Sequence, residues 1–98
     1  MTDLRKEAEG RECMIRIPGV CNGNPETTVL AHLNGGGMGM KRPDTSGAWA
    51  CSDCHDTVDG RNDAQAKYGY KRAEISEMFL EGVIRTQERL IAEGKITW

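Results

Sequence analysis

The chain has 98 residues, a formal net charge of −2 and a pI near 5.7, with two Trp, two Tyr and one Phe against twelve Gly. That length bounds it to one domain over residues 1–98. The charge excludes a protein that coats DNA through overall basicity, leaving local clusters such as Lys41-Arg42 and Lys67, Lys71, Arg72 for any contact with nucleic acid. A domain of this size buries about 60–65% of the surface its unfolded chain exposes. With so few large apolar side chains, a metal staple is expected. No stretch approaches the ~18 apolar residues of a membrane span. Residues 1–7 carry no apolar leader segment, so the expected address is cytoplasmic. Thiols stay reduced there, and four cysteines then argue for metal rather than disulfides.

In chain order, residues 3–10 form a short charged turn or helix ending at Gly10. Residues 13–17 (Cys-Met-Ile-Arg-Ile) favour a short strand, and 18–25 are dense in turn formers. A second strand is expected over 27–33, rich in β-branched residues, and together the two predict a hairpin with a long connection. The glycine-rich stretch Asn34-Gly35-Gly36-Gly37-Met38-Gly39-Met40 lacks the Gly-Lys-Ser/Thr ending of a phosphate-binding loop and reads as a plain loop. Ala48-Trp49-Ala50 leads into Cys51-Ser52-Asp53-Cys54-His55, where a helix starts near Ser52 and ends by Gly60. Asp63 is placed to cap a further helical segment. A long helix follows from about Arg72 to Glu93, with Ile75, Phe79, Val83 and Leu90 on one face, flanked by Leu80, Ile84 and Ile91. Glu81 and Arg85 have i,i+4 spacing, and Gly94 is a natural stop. This helix covers the core and carries no chemistry.

Zinc takes four nitrogen or sulfur ligands at tetrahedral angles. Cys51-x2-Cys54 has the spacing that lets two thiolates bite one ion where a turn enters a helix. Cys13 and Cys21 have seven residues between them, and Pro18-Gly19 can fold the intervening chain back. A structural zinc on Cys13, Cys21, Cys51 and Cys54 is the expectation, with a treble-clef layout of a hairpin pair and a helix-start pair. His55 adjoins Cys54, so five candidates compete for four positions. The two histidines, His32 near the end of the second strand and His55 at the helix start, are the groups suited to general base catalysis and to holding a divalent metal.

The order Cys…Cys, Ala-His-Leu, Cys-x2-Cys-His resembles the HNH endonucleases. A longer string is similar to a narrower group, the small prophage-encoded YbcO-type nucleases. It comprises Gly10-Arg11-Glu12-Cys13, Ile17-Pro18-Gly19-Val20-Cys21-Asn22-Gly23-Asn24-Pro25-Glu26-Thr27, Leu30-Ala31-His32 and Cys51-x2-Cys54-His55-Asp56. The resemblance implies a small α+β zinc domain, a ββα-metal core on a treble clef followed by the long amphipathic helix. It also implies hydrolysis of DNA phosphodiester bonds. By it His32 is the general base, His55 a ligand of a catalytic Mg²⁺ or Mn²⁺, and Asp44, ahead of Asn34, the middle polar residue of the motif. The four cysteines hold a separate structural zinc, unless His55 joins it. Lys41, Arg42 and Arg61 are candidates for backbone phosphate contacts. Two departures stand out: Ala31 occupies the position where many HNH enzymes carry Asp or His, and the first cysteine pair is wide. The rival expectations are a non-catalytic zinc module that binds DNA or a phage recombination protein, and a redox-sensing zinc switch.

Overall fold

The computed structural model describes residues 3–32, 44–60 and 62–96. Asn34, the rest of the glycine-rich stretch, Lys41, Arg42 and Arg61 lie outside the described residues. In chain order there are a short helix α1 (Leu4–Glu7), strand β1 (Val29–His32), strand β2 (Gly47–Ala50), helix α2 (Ser52–Val58), a single turn α3 (Ala64–Lys67) and the long helix α4 (Arg72–Ala92). One-turn 3-10 segments, Pro25–Thr27 and Asp44–Ser46, precede the two strands.

The expected strand over 13–17 is not formed, and the predicted hairpin is corrected accordingly. β1 pairs antiparallel with β2, in the register Val29↔Ala50, Leu30↔Trp49, Ala31↔Ala48, His32↔Gly47. The composition of residues 13–17 favours a strand, but Arg16 takes φ +56°, in the left-handed region that breaks extended backbone. The local cause is the sulfur of Cys13. It accepts the Arg16 N–H at 3.5 Å, while Arg16 Nε donates to the Cys13 carbonyl at 3.0 Å. Residues 13–16 therefore form a turn around a sulfur. The second strand starts later than expected because Asn24 caps the 3-10 turn that follows it, its Oδ1 accepting the Glu26 N–H.

β1 and β2 carry small or apolar residues on both faces, and each face is covered. Leu30 and Trp49 pack with Leu4 and Ala8 of the N-terminal segment and with Leu90 of α4. Ala31, Ala48 and Ala50 pack with the cysteines, Ile15, Ile17 and Val58, and with Ile75, Phe79 and Val83 of α4. The expected apolar face of α4 is thus the buried one, while Leu80, Ile84 and Ile91 remain about half exposed. The outer edge of β2 is closed rather than left open to another strand. The Trp49 N–H donates to Thr86 Oγ1 at 3.0 Å, and its carbonyl accepts the Met14 N–H at 2.7 Å. Close approach of α4 to the 13–17 turn needs Gly82: a Cβ there would stand 2.8 Å from Ile15 Cγ1 and 3.1 Å from its backbone. Arg85, expected beside Glu81, sends Nη1 to the Met14 carbonyl at 2.8 Å. α4 stops at Gly94 (φ +72°), where the Lys95 N–H returns to the Leu90 carbonyl.

The N-terminal segment is clamped to the end of α4. Arg11 stacks 4.6 Å above the Trp49 ring and forks onto Glu93, with both Nη–Oε distances 2.6 Å, while also reaching Glu7 at 3.0 Å. Lys95 approaches Glu7 from the other side at 3.3 Å. The Arg11 guanidinium holds the Glu93 carboxyl down to about 2. Asp63 stands at the start of α3, but its side chain makes no cap; Asn62 Oδ1 accepts the Ala64 N–H at 3.1 Å instead.

Candidate metal centre and histidine sites

The four cysteines come together. Their sulfurs all lie within 4.8 Å of one another, and Cys51 and Cys21 stand 3.9 Å apart. Four thiolates on one tetrahedral zinc at 2.3 Å would be about 3.8 Å apart, so the cluster is the right size for such an ion. Local structure positions each ligand. The left-handed turn at Arg16 carries Cys13, and Cys21 follows the turn at residues 18–20. Cys51 ends β2 as the N-cap of α2, with Cys54 in the first helical turn. The Cys51 sulfur accepts the Cys54 N–H at 3.4 Å, taking the place of the usual Ser or Asp cap. Further backbone N–H groups aim at sulfur: Ile15 at Cys13, Gly23 at Cys21 and Ile17 at Cys54. Such donors spread the negative charge of a thiolate set and orient it.

Charge makes the same point. The Cys54 thiol donates to Cys13, which favours the Cys13 thiolate and pushes the Cys54 thiol up. Burial, then the charges of Cys13 and Cys51, push Cys21 up to about 11. Four adjacent sulfurs therefore cannot all ionise unaided, and a divalent cation supplies the charge that would let them. Cys13, Cys51 and Cys54 are buried, and Cys21 is partly exposed. So closed a sulfur set leaves little space for a reacting water, as in structural rather than catalytic zinc sites.

His55 is not one of this group. Among the described residues, the group of three or more His, Cys, Asp or Glu side chains close enough to share an ion is the four cysteines. His55 lies on α2 with Nε2 3.2 Å from Asp59 Oδ2, and both side chains are partly buried. Asp59 was not singled out in the sequence, although the His55-x3-Asp59 spacing on a helix is a sufficient signal. His32 ends β1, half-buried, and lines a groove of about 300 Å³ with Arg5, Glu9, Thr28 and Leu30. Strand alternation puts His32 on the Leu30 face, toward α1, and Ala31 on the face toward the cysteines. Asp44 is placed by its backbone at the start of the 3-10 turn before β2; its side chain lies outside the described part of the molecule.

A family model described as "Putative nuclease YbcO" matches residues 2–95 of the chain. The chain belongs to the YbcO family. Two relatives carry the same description, one from Escherichia coli (strain K12) and one from Enterobacteria phage 82. Each is 52% identical over 99 residues, covering 98% of this chain and 98% of the relative. A solved structure titled "Structure of a putative bacteriophage protein from Escherichia coli str. K-12 substr. MG1655" superposes with a TM-score of 0.78 at 47% identity. It covers 94% of this chain and 100% of its own length. The YbcO match thus spans the turn at Cys13, the β1–β2 pair, α2 and α4 together. No described helix is long and apolar enough to cross a membrane.

Proposed function

We propose that this YbcO-family chain is a metal-dependent endonuclease that hydrolyses DNA phosphodiester bonds in the cytoplasm. In this reading the turn at Cys13, the β1–β2 hairpin and α2 form a treble-clef ββα-metal core of the HNH type, within a single domain over residues 1–98. The four cysteines hold a structural zinc. The observation that supports the catalytic reading is the pairing of His55 with Asp59 on α2. His32 ends β1 in an open groove, and His55 follows Cys54 on α2 with Asp59 3.2 Å away.

Two donors in neighbouring positions of an octahedral ion, at 2.0–2.1 Å from it, are separated by about 3 Å. The His55–Asp59 spacing therefore suits a shared divalent cation as well as a hydrogen bond. Asp44 is the proposed third protein group. A Mg²⁺ or Mn²⁺ bound there would supply positive charge against the phosphate. His32 takes the proton of the attacking water as general base. Lys41, Arg42 and Arg61 are proposed backbone phosphate contacts, giving affinity without sequence readout. His32→Ala should abolish metal-dependent nicking of supercoiled plasmid while zinc content and melting temperature stay unchanged. Full nicking by that variant would sink the assignment.

Ala31 favours a second reading, a zinc module that holds DNA or a phage recombination protein and cuts nothing. It is 1% exposed in the core, and its methyl coordinates nothing where HNH enzymes carry a ligand. Binding of supercoiled, single-stranded and branched DNA with no product at any Mg²⁺ or Mn²⁺ concentration would decide for it.

A further inference from the structure

The groove beside His32 carries an arginine that the reaction outlined above does not use. Arg5 lines it from α1, and Glu9 lines it four residues later. Residues at i and i+4 share one side of a helical segment. The adjacent side of that segment is fixed: Leu4 and Ala8 are buried against Leu30, Trp49 and Leu90. Asp3 caps α1 by accepting the Arg5 and Lys6 N–H groups. Beyond Ala8, Arg11 binds the chain to Glu93 of α4, and Glu7 also meets Lys95. An arginine carried on a segment anchored in this way loses little backbone freedom when it takes a ligand. Its guanidinium is a planar fork that matches two oxygens of a phosphate.

We infer that Arg5 is a substrate-binding residue that grips a backbone phosphate of DNA at the His32 groove. Glu9 lines the same groove, and its negative charge works against a bound phosphate. This deepens the nuclease reading, since it rests on His32 facing the substrate strand. The chemistry it recognises is the phosphodiester, not a base, so no sequence preference arises from it.

The test measures binding without cleavage. Zinc-loaded full-length protein carrying His32→Ala is titrated against a fluorescent DNA duplex over a range of salt concentrations with no added Mg²⁺ or Mn²⁺. Adding Arg5→Gln should weaken binding about tenfold at low salt and lower the salt slope by about one. Arg5→Lys should keep the slope and regain only part of the affinity, because lysine lacks the fork. Glu9→Gln should tighten binding. Unchanged affinity and slope in Arg5→Gln would overturn the proposal. So would an equal loss in Lys6→Gln, the exposed neighbour, which would indicate a diffuse charge effect. If Arg5→Gln melts early, the contrast between Arg5→Lys and its parent carries the test. Catalysis is read separately, by nicking with the wild type: DNA gripped through Arg5 but never cut keeps the contact and removes the nuclease.

Discussion

Arg16 shows how one sulfur can override strand propensity. A non-glycine residue in the left-handed region costs about 1–2 kcal/mol. Here that cost is offset by the N–H bond to the Cys13 sulfur and the Nε bond to the Cys13 carbonyl. The same turn directs the neighbouring N–H of Ile17 at Cys54, so the strained residue serves two ligands. Asp59 stands 3.2 Å from His55 at the proposed catalytic centre. Its carboxylate orients the His55 imidazole or shares an ion with it, and loss of such a partner weakens metal affinity by about 10- to 100-fold. Asp59→Asn should therefore raise by that factor the Mg²⁺ or Mn²⁺ needed for half-maximal nicking, with zinc content unaltered. A metal titration that does not move would remove Asp59 from the site.

Between elements, the contact with most at stake is the one from β2 to α4. Thr86 is fully buried. Its hydroxyl accepts from the Trp49 N–H and donates to the Gly82 carbonyl at 2.8 Å, so one side chain satisfies an edge-strand donor and anchors itself to its own helix. Valine has nearly the same shape and no oxygen. Thr86→Val leaves the Trp49 N–H buried and unpaired, which costs about 1–3 kcal/mol. The expected result is a lower denaturation midpoint at unchanged denaturant dependence. A midpoint equal to wild type would show that the strand finds another acceptor. The amphipathic pattern of α4 identified its buried face, but nothing in that pattern marks Thr86 as a strand partner.

At the scale of the whole molecule, the cysteine cluster joins three separate parts of the chain: the Cys13 turn, the chain entering Cys21, and the β2–α2 junction. A structural zinc contributes about 10–16 kcal/mol at neutral pH. That equals or exceeds the 5–15 kcal/mol of net stability usual for a domain. Chelation should thus unfold the protein rather than merely loosen it. Cys51→Ser is a clean probe, because serine keeps a cap acceptor for α2 while removing a thiolate. It should lose zinc and melt much earlier; retained zinc with an unchanged melting curve would count against the site. Acidification acts in the same direction, since protons compete with the ion for the thiolates. The Arg11–Glu93 pair adds a smaller acid sensitivity. The Glu93 carboxyl is lowered to about 2, so its contribution is complete above the ordinary carboxylate range and is lost as pH falls toward 2.

The residue string by itself determined the four-cysteine set, the start of α2 at Ser52, the length and buried face of α4, and membership of the YbcO group. These signals are local, or are fixed spacings that chemistry demands. Only the tertiary structure decided which strands pair. Cys13 to Ile17 has the composition of a strand, and competition between sulfur and ladder for the same N–H groups cannot be read from propensity. It also decided that His55 faces Asp59 while the cysteines close on one another. The walls of the His32 groove, Arg5 and Glu9, were illegible beforehand. They meet His32 because Leu4 and Ala8, each one position earlier in sequence, are buried on the adjacent side of the same segment.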